Sequence, residues 1–158
     1  MIEQWSKSQP DLDATPLEVV GRLLRSARLL DRAIVEALRP LELSYGDFDV
    51  LNTLRRRDDP DGTNPGELAR SALITTGAMT ARLDRLEHRG LIARKADPND
   101  RRGVLIRLTA GGRRFAERAL RAVLAADEAF LAPLSGRQRE TVAAALRELL
   151  LANEVQDA

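Results

Sequence analysis

The stretch from Thr75 to Thr109, TTGAMTARLDRLEHRGLIARKADPNDRRGVLIRLT, constrains the fold of this chain most. Met79, Leu83 and Leu86 are spaced four and then three, which marks one buried face of a helix. Thr80, Arg82, Arg85 and Arg89 fall on its other faces. Gly90 follows where a left-handed residue closes a helix. The polar run DPNDRRG then separates two β-prone segments, Ala93-Arg94-Lys95 and Val104-Leu105-Ile106-Arg107-Leu108, and reads as a projecting hairpin. A helix that exposes Thr and Arg beside an Arg-tipped hairpin suggests a surface that grips nucleic acid.

Charge distribution supports that reading more than net charge does. The chain is only +1 overall. Between Thr75 and Arg107, however, eight basic residues face four acidic ones, a net +4, and the rest of the chain is −3. Positive charge gathers where the helix and hairpin lie, as a phosphate-binding surface needs. A merely solvated basic face is the alternative.

The flanking segments are helical and aliphatic. Thr15 is expected to cap a first helix, with Pro16 at its first position and Glu18 completing a capping box. This helix should run to about Leu38 and stop before Pro40. Leu17, Val20, Leu24, Ala27, Leu30 and Ile34 trace its apolar stripe. Leu23, Leu29, Ala33 and Leu38 widen it enough to face both a core and a partner subunit. Ser44 and Asp47 open the next helix, with Phe48, Leu51 and Leu54 buried, and RRRDDPDGT is read as the loop after it. Asn64, Pro65 and Glu67 then open a short helix through about Ala72, burying Leu68 and Ala69. A short helix, a tight connection and the Thr75 helix make a helix-turn-helix, and the hairpin makes its wing. Thr109 is expected to cap a helix from Ala110 to Leu131, with Ala116, Leu120, Val123, Leu124 and Phe130 as its stripe. Ser135 and Gln138 form a capping box for a last helix to about Asn153, with Val142, Leu146, Leu149 and Leu150 expected to be buried.

At 158 residues, one domain is the default. The chain has no cysteine and one histidine, His88, which excludes disulfides, thiolate metal sites and multi-histidine metal sites. No nucleophile–base pair, phosphate loop or glycine-rich dinucleotide turn is present, so no catalytic residue, metal ligand or cofactor is assigned. No run is apolar enough to span a membrane, and the first residues lack the core of a signal peptide, which points to the cytoplasm.

The reader helix and wing, together with GDFDVL in the second helix, resemble the MarR family of transcription regulators. The resemblance covers nearly the whole chain from Thr15. It implies a mainly α fold of six helices with a small β-hairpin wing. It also implies a homodimer and double-stranded DNA as partner. Residues 44–109 would be the winged helix-turn-helix lobe, with 15–40 and 110–154 as dimerisation helices within a single 1–158 domain. A two-fold dimer would read a palindromic operator with half-sites roughly 34–36 Å apart. A helical module that binds protein without DNA is the alternative.

Roles follow by position. Thr75, Thr76, Gly77 and Ala78 sit at the start of the reader helix, where hydroxyls and free N–H groups suit phosphate and small side chains admit close approach. Thr80 and Arg82 lie about one turn on, and Arg82 is the first choice for guanine readout. The structural alternative for Arg82 is an intrahelical partner such as Asp84 or Glu87. The family pattern implies that Asp100 pins the wing turn and that Arg101 enters the minor groove, while Arg102 is read as a phosphate contact or a neighbour of Asp97. A regulator also needs a signal, and a small organic effector, aromatic or anionic, remains. The motif QW…PDLD…TP resembles the urate-responsive branch of the family. That resemblance implies Trp5, Asp49, Arg82 and Arg94 as ligand residues for urate or a phenolic compound. Packing for Trp5 and a helix-dipole role for Asp49 are the structural alternatives.

Overall fold

The computed structural model describes residues 13–71, 76–98, 100 and 103–154. Among these, six α-helices and one antiparallel hairpin follow in order: α1 (Thr15–Leu38), α2 (Tyr45–Arg57), α3 (Pro65–Ser71), α4 (Thr76–His88), β1 (Ile92–Ala96), β2 (Val104–Leu108), α5 (Ala110–Leu131) and α6 (Gly136–Glu154). A 3-10 turn, Arg39–Leu41, follows α1 and contains Pro40. The mainly α winged fold expected from the sequence is therefore present.

Several boundaries are set by the expected side chains. Ser44 Oγ accepts from the Asp47 N–H at 3.1 Å and opens α2. Asn64 Oδ1 accepts from the Gly66 N–H at 2.8 Å ahead of α3. Thr109 Oγ1 accepts from the Gly112 N–H at 2.8 Å and opens α5. Ser135 and Gln138 bond reciprocally at the start of α6, as a capping box requires. Gly90 adopts φ +66° and ends α4.

Two local expectations need correction. Thr15 is the first residue of α1 rather than its cap; Ala14 holds that place, and Asp13 Oδ1 accepts from the Thr15 N–H at 3.0 Å. No side chain caps α1 from Ala14, so the box expected of Thr15 and Glu18 does not form, and Glu18 pairs with Arg22 instead. Arg55, Arg56 and Arg57 belong to the last turn of α2, not to a loop. Basic groups there complement the negative helix end, and the turn begins at Asp58, at φ +42°.

The core lies in the winged lobe. Leu51, Leu68, Met79, Leu86 and Ile106 are almost wholly buried, and Ala116, Ala119 and Val123 of α5 close it from above. Gly112 sits so close to the Leu91 carbonyl that a Cβ would collide with it, which fixes the start of α5 against the end of α4. Thr63 exchanges two backbone hydrogen bonds of 2.9 Å with Ile106. The segment before α3, expected to be plain loop, thus adds a bridge to the hairpin.

The long helices behave differently. Of α1, only Ile34 and Leu38 are buried, while Leu17, Val20 and Leu24 are exposed. In α6, Val142, Leu146, Leu149 and Leu150 are exposed, against the expectation of burial. Every residue from Glu140 to Asn153 is exposed within one chain. Periodicity shows that a face avoids water but not whether its own chain or another covers it.

Candidate nucleic-acid interface

Asp47 anchors the reader helix. It lies in the first turn of α2 and is buried. Its carboxylate accepts from Arg85 through Nη2 at 2.9 Å and Nε at 3.4 Å, and from Arg82 Nη1 at 3.3 Å. Arg82 and Arg85 are three apart on α4, so both reach the same acid. Arg82 is also packed against Gly46, where a Cβ would collide with its guanidinium. Its Nε is buried and has no hydrogen-bond partner among the described residues.

The outward-facing Arg82 expected from the sequence is therefore folded back. Its side chain is only 25% exposed. Neither intrahelical partner considered for it is used: Asp84 and Glu87 each bond Arg94 of β1 at 2.6 Å. Hydrogen bonding to Asp84, more than any other effect, raises the Arg94 pKa above its ordinary value. Sequence reasoning missed the Asp47 pairings because Arg82 and Arg85 lie 35 and 38 residues from it, and it missed the Arg94 pairings because they join a helix to a strand. Two arginines at helical spacing, Arg82 and Arg85, were the available signal for one shared acid.

The far end of α4 is fastened by Arg89. It donates to the carbonyls of Leu41 at 3.1 Å and Glu42 at 2.9 Å, and its guanidinium lies 5.1 Å from the Phe115 ring centroid. Ahead of both anchors, Ala78, Thr80 and Ala81 are exposed on the N-terminal half of α4. Their small side chains leave the helix free to approach a groove.

The wing is a regular ladder from Ile92↔Leu108 to Ala96↔Val104. Its turn is closed by Asp97 N–H to Gly103 O at 3.0 Å and Gly103 N–H to Asp100 O at 2.8 Å. A side chain at Gly103 would crowd Asp97 and Asp100. Arg101 and Arg102 lie outside the described residues, as do Thr75 and Trp5. Thr76 and Gly77 are the first residues of α4.

Of the four ligand residues implied by resemblance, Asp49 and Arg82 come near each other. Asp49 is half-buried on α2, and that burial pushes its carboxyl pKa up, against the lowering charges of Arg56 and Arg82. Arg94 is instead held by Asp84 and Glu87. Tyr45, beside Asp49, also has a raised pKa, first from burial and then from the charges of Asp49, Asp127 and Asp31. Among the described residues, no cluster of His, Cys, Asp or Glu could hold a metal ion, and no helix is long and apolar enough to cross a membrane.

Comparison with known proteins agrees with this architecture. The model of the MarR family matches residues 43–104. The transcriptional regulator PecS of Dickeya dadantii is 35% identical over 146 residues, covering 92% of this chain and 88% of PecS. A cysteine-to-serine mutant of MarR from Escherichia coli, solved in complex with operator DNA, superposes with a TM-score of 0.73 at 29% identity. That match covers 92% of this chain and 97% of the other. A MarR family protein of Mycobacterium tuberculosis in complex with salicylic acid superposes with a TM-score of 0.64 at 34% identity, covering 88% and 97%.

Proposed function

Because this chain belongs to the MarR family of transcription regulators, we propose that it is a cytoplasmic, homodimeric repressor that binds a palindromic duplex operator and releases it on binding a small aromatic or anionic effector. The observation that carries this reading is the clamped reader helix. Asp47 and Arg89 anchor it, while the small residues Ala78, Thr80 and Ala81 ahead of those anchors stay exposed. Operator DNA bound to the E. coli relative favours the same use here.

In this reading, Thr75, Thr76, Gly77 and Ala78 receive phosphate, and Thr80 reaches a base edge. Arg82 reads guanine only after leaving Asp47, so its pairing makes it a switch as well as a reader. Arg101 enters the minor groove from the wing tip, and Arg102 meets phosphate. The exposed apolar faces of α1 and α6 are covered by the partner subunit.

The effector reading is narrower. Salicylic acid on the M. tuberculosis relative supports an aromatic anion. Urate, held by Trp5, Asp49, Arg82 and Arg94, would compete for Arg82 and so disturb its hold on Asp47. Titration of a palindromic duplex from upstream of its own gene tests the core proposal. Affinity should fall steeply with salt and drop on Arg101→Ala. A salt-independent affinity would overturn it. Urate should raise the melting midpoint of the wild type but not of Trp5→Phe; equal shifts would remove Trp5 from the site.

A further inference from the structure

A second basic site lies at the opposite end of the reader helix. A cavity of about 440 Å³ is lined by Arg89 and Leu91 after α4, and by Gly111, Arg114, Phe115 and Arg118 at the start of α5. That volume lies within the range of small-molecule pockets. Two arginines stack on one ring: Arg89 at 5.1 Å and Arg118 at 5.3 Å from the Phe115 centroid. Neither Arg114 nor Arg118 has an ion-pair partner within 4.0 Å among the described residues. The N-terminal end of the 22-residue α5 adds its positive dipole. Positive charge gathered around one aromatic ring, with no ion-pair partner for Arg114 or Arg118 among the described residues, suits an anion that also carries a flat ring.

We propose that this cavity is a second effector site, distinct from Asp49, Arg82 and Arg94, and that it takes a small aromatic anion such as an aryl carboxylate or sulfonate. The proposal goes beyond the urate reading and shares no residue with it. Its consequence for DNA runs through Arg89, which joins α4 to the carbonyls of Leu41 and Glu42. An anion that draws on Arg89 competes with those carbonyls and changes how the reader helix is seated. The 13-residue α4 separates the cavity from the DNA-facing turn by about 20 Å, so the ligand does not block the groove directly.

Calorimetric titration of the full-length homodimer with naphthalenesulfonate tests this, with methanesulfonate as an anion lacking a ring. Naphthalenesulfonate should bind and methanesulfonate should not. The double variant Arg114→Gln/Arg118→Gln should weaken binding by about tenfold or more. Both arginines are exposed, and an unchanged melting midpoint confirms that the variant folds. Phe115→Leu, which keeps apolar volume and removes the ring, should also weaken it. Asp49→Asn should leave it unchanged. Equal binding by wild type and double variant overturns the site. So does loss of naphthalenesulfonate binding on Asp49→Asn, which would place the probe elsewhere. If the double variant weakens duplex affinity while the wild type binds no naphthalenesulfonate, the arginines are phosphate contacts and the proposal fails.

Discussion

Asp47 and Arg85 are joined side by side, through Oδ1 to Nη2 at 2.9 Å and Oδ2 to Nε at 3.4 Å, although 38 residues separate them. This fork holds the reader helix against α2, and it leaves Arg82 as the second, weaker claimant on the same acid. Position, more than strength, is what the pair supplies: two parallel bonds fix the rotation of α4 about its axis.

Asp47→Ala should therefore cost more than an ordinary surface pair. Asp47 is 10% exposed while Arg85 is half-exposed. Removing the acid strands the partly buried Arg82, so a loss of about 2 kcal/mol is expected, below the full figure for a buried pair. Urea unfolding of the dimer at fixed concentration measures it. A loss within about 0.5 kcal/mol would mean that the clamp does not hold α4.

Two glycines separate packing from signalling. At Gly112, an added Cβ meets the Leu91 backbone carbonyl, which cannot move without displacing the end of α4. Gly112→Ala should destabilise by about 3 kcal/mol. At Gly46, the obstacle is the tip of the Arg82 side chain. Gly46→Ala should change stability by less than about 1 kcal/mol, because helix propensity offsets the displacement. It should nonetheless free Arg82 from Asp47 and alter duplex affinity. Unchanged affinity with Gly46→Ala would show that Arg82 plays no part in the switch.

Much of the fold was legible because its signals are local. The Thr109 and Ser135 caps, the Gly90 turn and the Met79–Leu83–Leu86 face depend on residues within a few positions of each other. What the sequence did not disclose is carried by contacts distant in the chain. In the sequence Asp47 is only an opening residue of α2, and folding brings Arg82 and Arg85 to it. Arg89 looked solvent-facing, yet it satisfies two carbonyls left free by the left-handed turn at Glu42. The apolar stripe of α6 was visible, but no pattern within one chain says that another chain must cover it.

That stripe yields a test of assembly. Leu149 and Leu150 are 48% and 58% exposed on α6. Leu149→Glu with Leu150→Glu should leave the winged lobe folded, since its core does not include them. Sedimentation should show a monomer, and binding to a palindromic duplex should fall to that of one lobe. A double variant that stays dimeric would place the interface elsewhere.

Asp49 gives a pH dependence with a defined sign. Burial raises its pKa in the folded chain above the ordinary carboxylate value. A folded state that binds the proton more tightly than the unfolded one gains stability on acidification, so the charged Asp49 is a cost at neutral pH. Asp49→Asn should then be more stable than wild type near pH 7. The advantage should shrink as pH falls through the raised pKa and vanish below the ordinary value of about 3.9. Paired urea titrations from pH 7 to pH 4 measure the difference. A constant gap across that range would assign the effect to packing. A gap that widens on acidification would mean that Arg56 and Arg82 outweigh burial, and that Asp49 is held charged in the folded protein.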